Sequence, residues 1–388
     1  MSDEVAPRGF PDGFGQDRDE RRAVLVLATL RGITPRKLHE LAWREGSAAA
    51  CLHAVRRGLA GSRGDSESAL TADPDGIAAT VRAAGCRFVT PADPGYPPSL
   101  FDLERDPPVG LFVRGRDLPE MVEAVSVVGA RNCSALGNEV AHDIGAGLAG
   151  AGVCVVSGAA RGIDAASHRG ALAAGGRTIA VLGSGVDVPY PKASRQLIDR
   201  AARVGAVVSE YGPGVEAEPF RFPARNRIVA ALGRALVVVE GAKGSGSMIS
   251  VDHALELGRE VFAVPGPVTS PLSEVPLDLI RDGATMIRGA DDLLADLGFA
   301  IRITVSAPTD LPEDERRAYE VLAGPCLPDT VARATGMSIP QAVGALIRLE
   351  LRGLVRGVGG RYERRLRVTH TSSRPADGQG ALAPLPGR

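Results

Sequence analysis

The chain has 388 residues, enough for two or three domains that each bury a core of their own. Its 45 basic and 46 acidic residues leave a formal charge of −1, which excludes a global positive field for gathering nucleic acid or anionic membrane. The five cysteines are odd in number with no C-x-x-C pair, and no apolar run reaches the ~18 residues of a membrane span, so a cytoplasmic protein without structural zinc or a membrane partner is expected.

The chain opens on a tail, residues 1–18, rich in Gly, Pro, Asp and Arg and without the apolar core of a signal peptide. Residues 19–75 read as a small helical module and linker, of a SAM-like or helix-hairpin-helix-like kind. Leu25, Leu30, Leu38, Leu41 and Leu52 recur at helical spacing, Thr34 is a fitting N-cap and Pro35 a fitting first helical residue. The polar stretch from Gly61 to Asp75 has the composition of a linker.

Residues 76–300 carry the strongest pattern. Val125–Val128, Val153–Val156, Thr178–Leu182, Ala206–Val208, Ala235–Val239 and Glu260–Val264 are short β-rich runs whose last apolar residues lie 25 to 31 positions apart. That interval fits a strand plus a crossover helix, and unbroken apolar character fits strands covered on both faces. An extended Rossmann-like, doubly wound α/β domain with a mainly parallel sheet is expected, with edge strands at Arg87–Val89 and Val109–Val113. Residues 308–368 change to three helices and a hairpin, a winged helix whose third helix is expected to be amphipathic through Val343, Leu346, Ile347 and Leu351. Thr371 to Arg388 reads as a second tail.

Ligands of such a sheet bind beyond the carboxyl ends of its strands. The residues there include Gly129, Arg131, Ser157, Gly158, Arg161, Gly183, Ser184, Gly185, Ser245, Gly246 and Ser247. Glycine lets a phosphate approach the backbone, serine adds a donor and arginine a bidentate fork. In any one loop these small residues serve a tight turn equally well, but several such loops on one edge favour an anion cradle. The segment Phe220–Arg234 adds Phe222, Arg225 and Arg227 with no acidic residue, in a chain only 4% aromatic. Aromatics for base stacking beside arginines for phosphates suit a single strand; the plain alternative is a solvated helix start with its phenylalanine buried.

Catalytic and metal constellations are poor. Asp164 and His168, four residues apart, fit structure better than acyl transfer, and the other histidines form no metal-ligand cluster. Glu240 at a strand end is placed to polarise a sugar or a water, but a pair with Arg225 or Arg227 is the plainer expectation. Gly145 to Gly150 spells G-x-G-x-x-G but lies within a helix, where packing is the expected role.

Taken together, Val127–Arg131, Ser157–His168, Gly175–Gly185, Phe222–Ile228, Gly244–Ser247 and Gly258–Gly266 resemble the DNA-processing protein A (DprA, or Smf) family over about Arg87 to Leu294. The resemblance implies a non-enzymatic protein without cofactors that binds single-stranded DNA and helps load RecA recombinase in natural transformation or recombination. It implies a pocket using Arg131, Ser157, Gly158, Phe222, Arg225 and Arg227. One departure is the stretch Glu274–Asp278, which replaces a Gly-x-Asn-like element and is expected to lose a loop contact.

A few contacts per protomer motivate a homodimer that pairs two pockets. One competing function is a nucleotide or nucleotide-sugar hydrolase of the lysine-decarboxylase-like type, against which Glu240–Ser247 lacks the acidic pair of that group. The other is a duplex-binding winged helix, for which the basic run Arg361, Arg364, Arg365 and Arg367 is the sequence feature.

Overall fold

The computed structural model describes residues 8–104, 106–299 and 311–364, in two compact units that divide at Phe299. In the first unit Asp17 caps α1 (Arg18–Leu27), Thr34 caps α2 (Pro35–Glu45) with Pro35 first, and Ser47 caps α3 (Ala48–Arg56). Buried Glu20 of α1 accepts from the N–H groups of Ala48 and Ala49 at 2.8 and 2.9 Å. Its charge therefore sits where α3 leaves donors unpaired, tying the two helices together.

Two expectations here are corrected. Residues 8–17 are packed: Phe14 is buried and Trp43 donates to the carbonyl of Gly9 at 3.1 Å. The polar stretch from Gly61 to Asp75 is mostly helical, forming α4 (Arg63–Thr71) and the start of α5 (Pro74–Ala83). Ser62 and Asp65 make a reciprocal capping box, and Asp65 also accepts from Gly32 at 2.8 Å. Burial opposes the Asp65 charge, but these hydrogen bonds outweigh it and hold its pKa below the usual carboxylate value.

The sheet follows as β1 (Arg87–Val89), β2 (Leu111–Gly115), β3 (Ala124–Val128), α6 (Ala135–Gly150), β4 (Cys154–Ser157), α7 (Ile163–Ala173), β5 (Thr178–Val181), α8 (Arg195–Val204) and β6 (Ala206–Ser209). It continues with α9 (Arg221–Leu232), β7 (Ala235–Val238), α10 (Ser247–Glu256), β8 (Glu260–Ala263), α11 (Glu274–Arg281), β9 (Thr285–Met286) and α12 (Ala290–Asp296). The strand order is β1-β2-β6-β5-β4-β3-β7-β8-β9, antiparallel only at the β1–β2 and β2–β6 pairs. All the residues of β3 through β7 are buried, which explains their valine-rich, non-alternating sequences. The chain winds from β3 out to β6 and returns to β7 on the other side of β3, so the order reverses between β3 and β7.

The G-x-G-x-x-G stretch packs helices, as its position in α6 requires. A Cβ at Gly145 would collide with the carbonyl oxygen of Ser167, and one at Gly170 with that of His142, so α6 and α7 meet backbone to backbone. Gly145→Ala is expected to destabilise the first unit by about 2 kcal/mol or more through overpacking, read as a lower urea midpoint.

The second unit holds α13 (Glu313–Val321), α14 (Pro328–Thr335), α15 (Ile339–Leu351) and the hairpin β10 (Val355–Val358) to β11 (Arg361–Arg364). The buried face of α15 is Ala342, Ala345, Leu346 and Leu349. Leu346 of the expected face is buried and Val343 half-buried, but Ile347 and Leu351 are exposed, which corrects the expectation for those two. Buried Glu315 pairs with Arg348 and Arg352 at 2.8 and 3.1 Å. Arg364 donates to the carbonyls of Tyr319 and Glu320, closing the end of α13. Arg365, Arg367 and the expected C-terminal tail lie outside the described residues.

Candidate nucleic-acid interface

A cavity of about 370 Å³ opens where the strand order reverses, beyond the carboxyl ends of β3 and β7. Gly129 and Arg131 line it from the loop after β3, and Ser245, Gly246 and Ser247 from the loop after β7; Ala160, Asp164 and Arg225 are also in its wall. Ser245 and Ser247 share a hydrogen bond of 2.5 Å between their hydroxyls, and α10 begins at Ser247. Two hydroxyls, a helix start and a guanidinium around one cavity favour an anion.

Arg131 is exposed, with its guanidinium carbon 5.3 Å from the centre of the Phe222 ring. Arg161, on the loop after β4, is exposed as well. Among the described residues neither forms an ion pair, so both charges are available. Phe222, near the start of α9, is half-buried, and Tyr190 lies beside it with ring centres 5.0 Å apart. Tyr190 was not among the residues that the sequence singles out. It is brought to Phe222 by the long loop after β5, across a separation that no local pattern reports.

The family model for DNA recombination-mediator protein A matches residues 87–298, and the DprA winged helix domain matches residues 302–361. The chain belongs to the DprA family. The DNA processing protein DprA of Streptococcus pneumoniae is 45% identical over 208 residues, spanning 53% of this chain and 73% of that protein. Protein Smf of Escherichia coli is 38% identical over 286 residues, spanning 71% and 76%. The solved structure of the pneumococcal DNA processing protein A superimposes with a TM-score of 0.61 at 33% identity, covering 73% of this chain and 99% of that one.

Several of the residues expected at the ligand edge are engaged by the scaffold. Ser157 is fully buried and donates to the carbonyl of Val127 at 2.6 Å; Ser184, also buried, donates to that of Val188 at 2.7 Å. Gly129 is required by packing, since a Cβ would press on Ile163, and Gly185 because one would press on the Gly212 carbonyl. A Cβ at Gly183 would crowd Phe222 and the Arg221 backbone, so this glycine seats the aromatic ring. Gly158 leaves the space that the guanidinium of Arg225 fills.

Arg225 touches the cavity but is 4% exposed and donates to the carbonyl of Val181. Burial lowers its pKa to about 10, with Asp164 opposing, so the group keeps its charge at neutral pH. Arg227 is 2% exposed and corrects the expectation of a phosphate contact. It forms a bidentate pair with Glu210 at 2.5 and 2.6 Å, and a second pair with Asp106 at 2.8 Å.

Glu240 is corrected too: it pairs with neither arginine. Its carboxylate accepts from the backbone N–H and hydroxyl of Ser134 at 2.8 and 2.5 Å, at the start of α6. Asp164 accepts from the N–H groups of Gly158 and Ala160, and His168 is buried on the Thr178 hydroxyl at 2.6 Å, with burial pushing its pKa down to about 3. Asp164 therefore shapes the turn after β4, and His168 joins α7 to β5. The divergent stretch Glu274–Asp278 keeps contact with the loop after β7: Val275 donates to the Gly241 carbonyl at 3.0 Å, Glu274 accepts from Lys243 N–H, and Asp278 lies 4.0 Å from the Lys243 ammonium.

Proposed function

We propose that this protein binds single-stranded DNA along the carboxyl edge of its sheet and loads RecA recombinase onto the strand during natural transformation or recombination, leaving the strand uncut. The observation that carries this reading is the placement of Arg131: an exposed guanidinium, without an ion pair among the described residues, between a cavity that Ser245 and Ser247 line and an aromatic pair. A polynucleotide offers both matching features, phosphates for the cavity and bases for the rings. The family assignment supports a role in recombination. Two pockets in a homodimer would share one strand and raise its retention through effective concentration; sedimentation of the pure protein as a monomer at micromolar concentration would refute that arrangement.

The hydrolase reading loses its candidate carboxylate, because Glu240 is engaged by Ser134 at the start of α6. The duplex reading is weakened by α15, whose arginine Arg348 is paired with Asp314 and Glu315, and whose exposed residues include Ile339, Ile347 and Leu351. The test is oligothymidine against matched duplex across a salt series, for the full chain and a chain ending at residue 299. Both are expected to prefer the single strand with similar affinity. Loss of single-strand binding on truncation would transfer the function to the winged helix, and release of free base would revive the hydrolase.

A further inference from the structure

The chain holds one tryptophan, five tyrosines and nine phenylalanines, yet the exposed aromatics of the described residues are Trp43, Tyr190 and Phe220. Two of the three flank Phe222. Tyr190 is 49% exposed, and its ring is in tilted contact with Phe222. Phe222 itself is taken up by neighbours: the Tyr190 ring at 5.0 Å, the Arg131 guanidinium at 5.3 Å and the backbone at Gly183. Phe220, the other exposed ring, lies against the Arg221 guanidinium at 5.3 Å, so the open aromatic surface in ring contact with Phe222 belongs to Tyr190.

We propose that Tyr190 is the residue on which a base of the bound strand stacks, and that Phe222 is the ring that positions Tyr190 and Arg131 for it. This rests on the single-strand reading above and names the recognition element within that site. A half-exposed ring is costly to leave in water, and an unstacked base has a π-face of its own to cover, so their contact satisfies both without regard to base identity. Arg131, whose guanidinium carbon lies 5.3 Å from the centre of the Phe222 ring, meets the phosphate. The site would then read the polymer as alternating charge and flat surface, which a duplex with its bases already stacked cannot present.

The experiment measures binding of oligothymidine, and of the same oligomer with abasic sugars in place of its nucleosides, to the full-length protein and to Tyr190→Ala, Tyr190→Phe and Arg131→Ala. Tyr190→Ala is expected to weaken oligothymidine about tenfold. Tyr190→Phe is expected to stay within about twofold of the parent, because the ring and not the hydroxyl makes the contact. On the abasic oligomer Tyr190→Ala and the parent are expected to bind alike, a convergence that a merely structural role would not produce. Equal weakening on both oligomers, or none on either while Arg131→Ala is impaired, would overturn the proposal and leave the single-strand reading in place. Failure of the parent protein to bind oligothymidine at all would overturn that reading as well.

Discussion

Replacing Arg227 with alanine is expected to lower the stability of the first unit by about 3–5 kcal/mol, with a fall in melting temperature on the order of 10 °C. The guanidinium is nearly sealed from water, and Glu210 beside it is almost as well covered. Burial works against the Arg227 charge, but Glu210 and then Asp106 more than offset it and hold its pKa above the ordinary arginine value. Removing the cation strands the Glu210 carboxylate in a medium that cannot solvate it. The double variant Arg227→Met with Glu210→Leu is expected to recover most of the loss, since neither charge is then left alone. Folded Arg227→Ala protein at low temperature is expected to bind oligothymidine as the parent does. A clean loss of binding with an unchanged melting curve would show instead that this arginine meets DNA.

Arg131→Ala is expected to do the opposite. Its side chain is exposed and without an ion pair among the described residues, so its removal leaves no buried charge and a melting temperature within a degree or two of the parent, consistent with a surface change of ~0.5 kcal/mol or less. Single-strand affinity at moderate salt is expected to fall about tenfold, and the slope of log affinity against log salt to shrink by ~0.7, the release of one counterion's worth of phosphate contact. Titrations of fluorescent oligothymidine at several salt concentrations check both. An unchanged slope with weaker binding would mean that Arg131 acts through Phe222 alone, as a cation over the ring. The contrast between the two arginines comes from burial and pairing: Arg131 is exposed, and Arg227 is 2% exposed and paired with Glu210.

The architecture was largely legible because strand covering writes itself into the sequence. Val125–Val128 and its successors are unbroken apolar runs because helices lie on both sides, and their spacing reports the crossovers. The position of β7 beside β3 was not legible, since pairing order depends on tertiary contacts. Nor was the division of labour among the serines. Ser157 and Ser184 have the same chemistry as Ser245 and lie at the same edge of the sheet, but a nearby carbonyl occupies each of the first two. Composition misled at Gly61–Asp75, where Ser62 with Asp65, and Asp73 before Pro74, were the helix-start signals that a polar, glycine-containing stretch concealed. Tyr190 carried one usable signal: a tyrosine set between Pro189 and Pro191 in a loop at the ligand edge, in a chain with few aromatics to spare.

The most direct test of the account is photocrosslinking of oligothymidine to the full-length protein, with the attached peptides and the intact oligomer mass read together by mass spectrometry. The expected result is attachment at Tyr190 or Phe222, on an oligomer of unchanged mass. Attachment confined to residues 311–364, or an oligomer shortened during incubation, would contradict it.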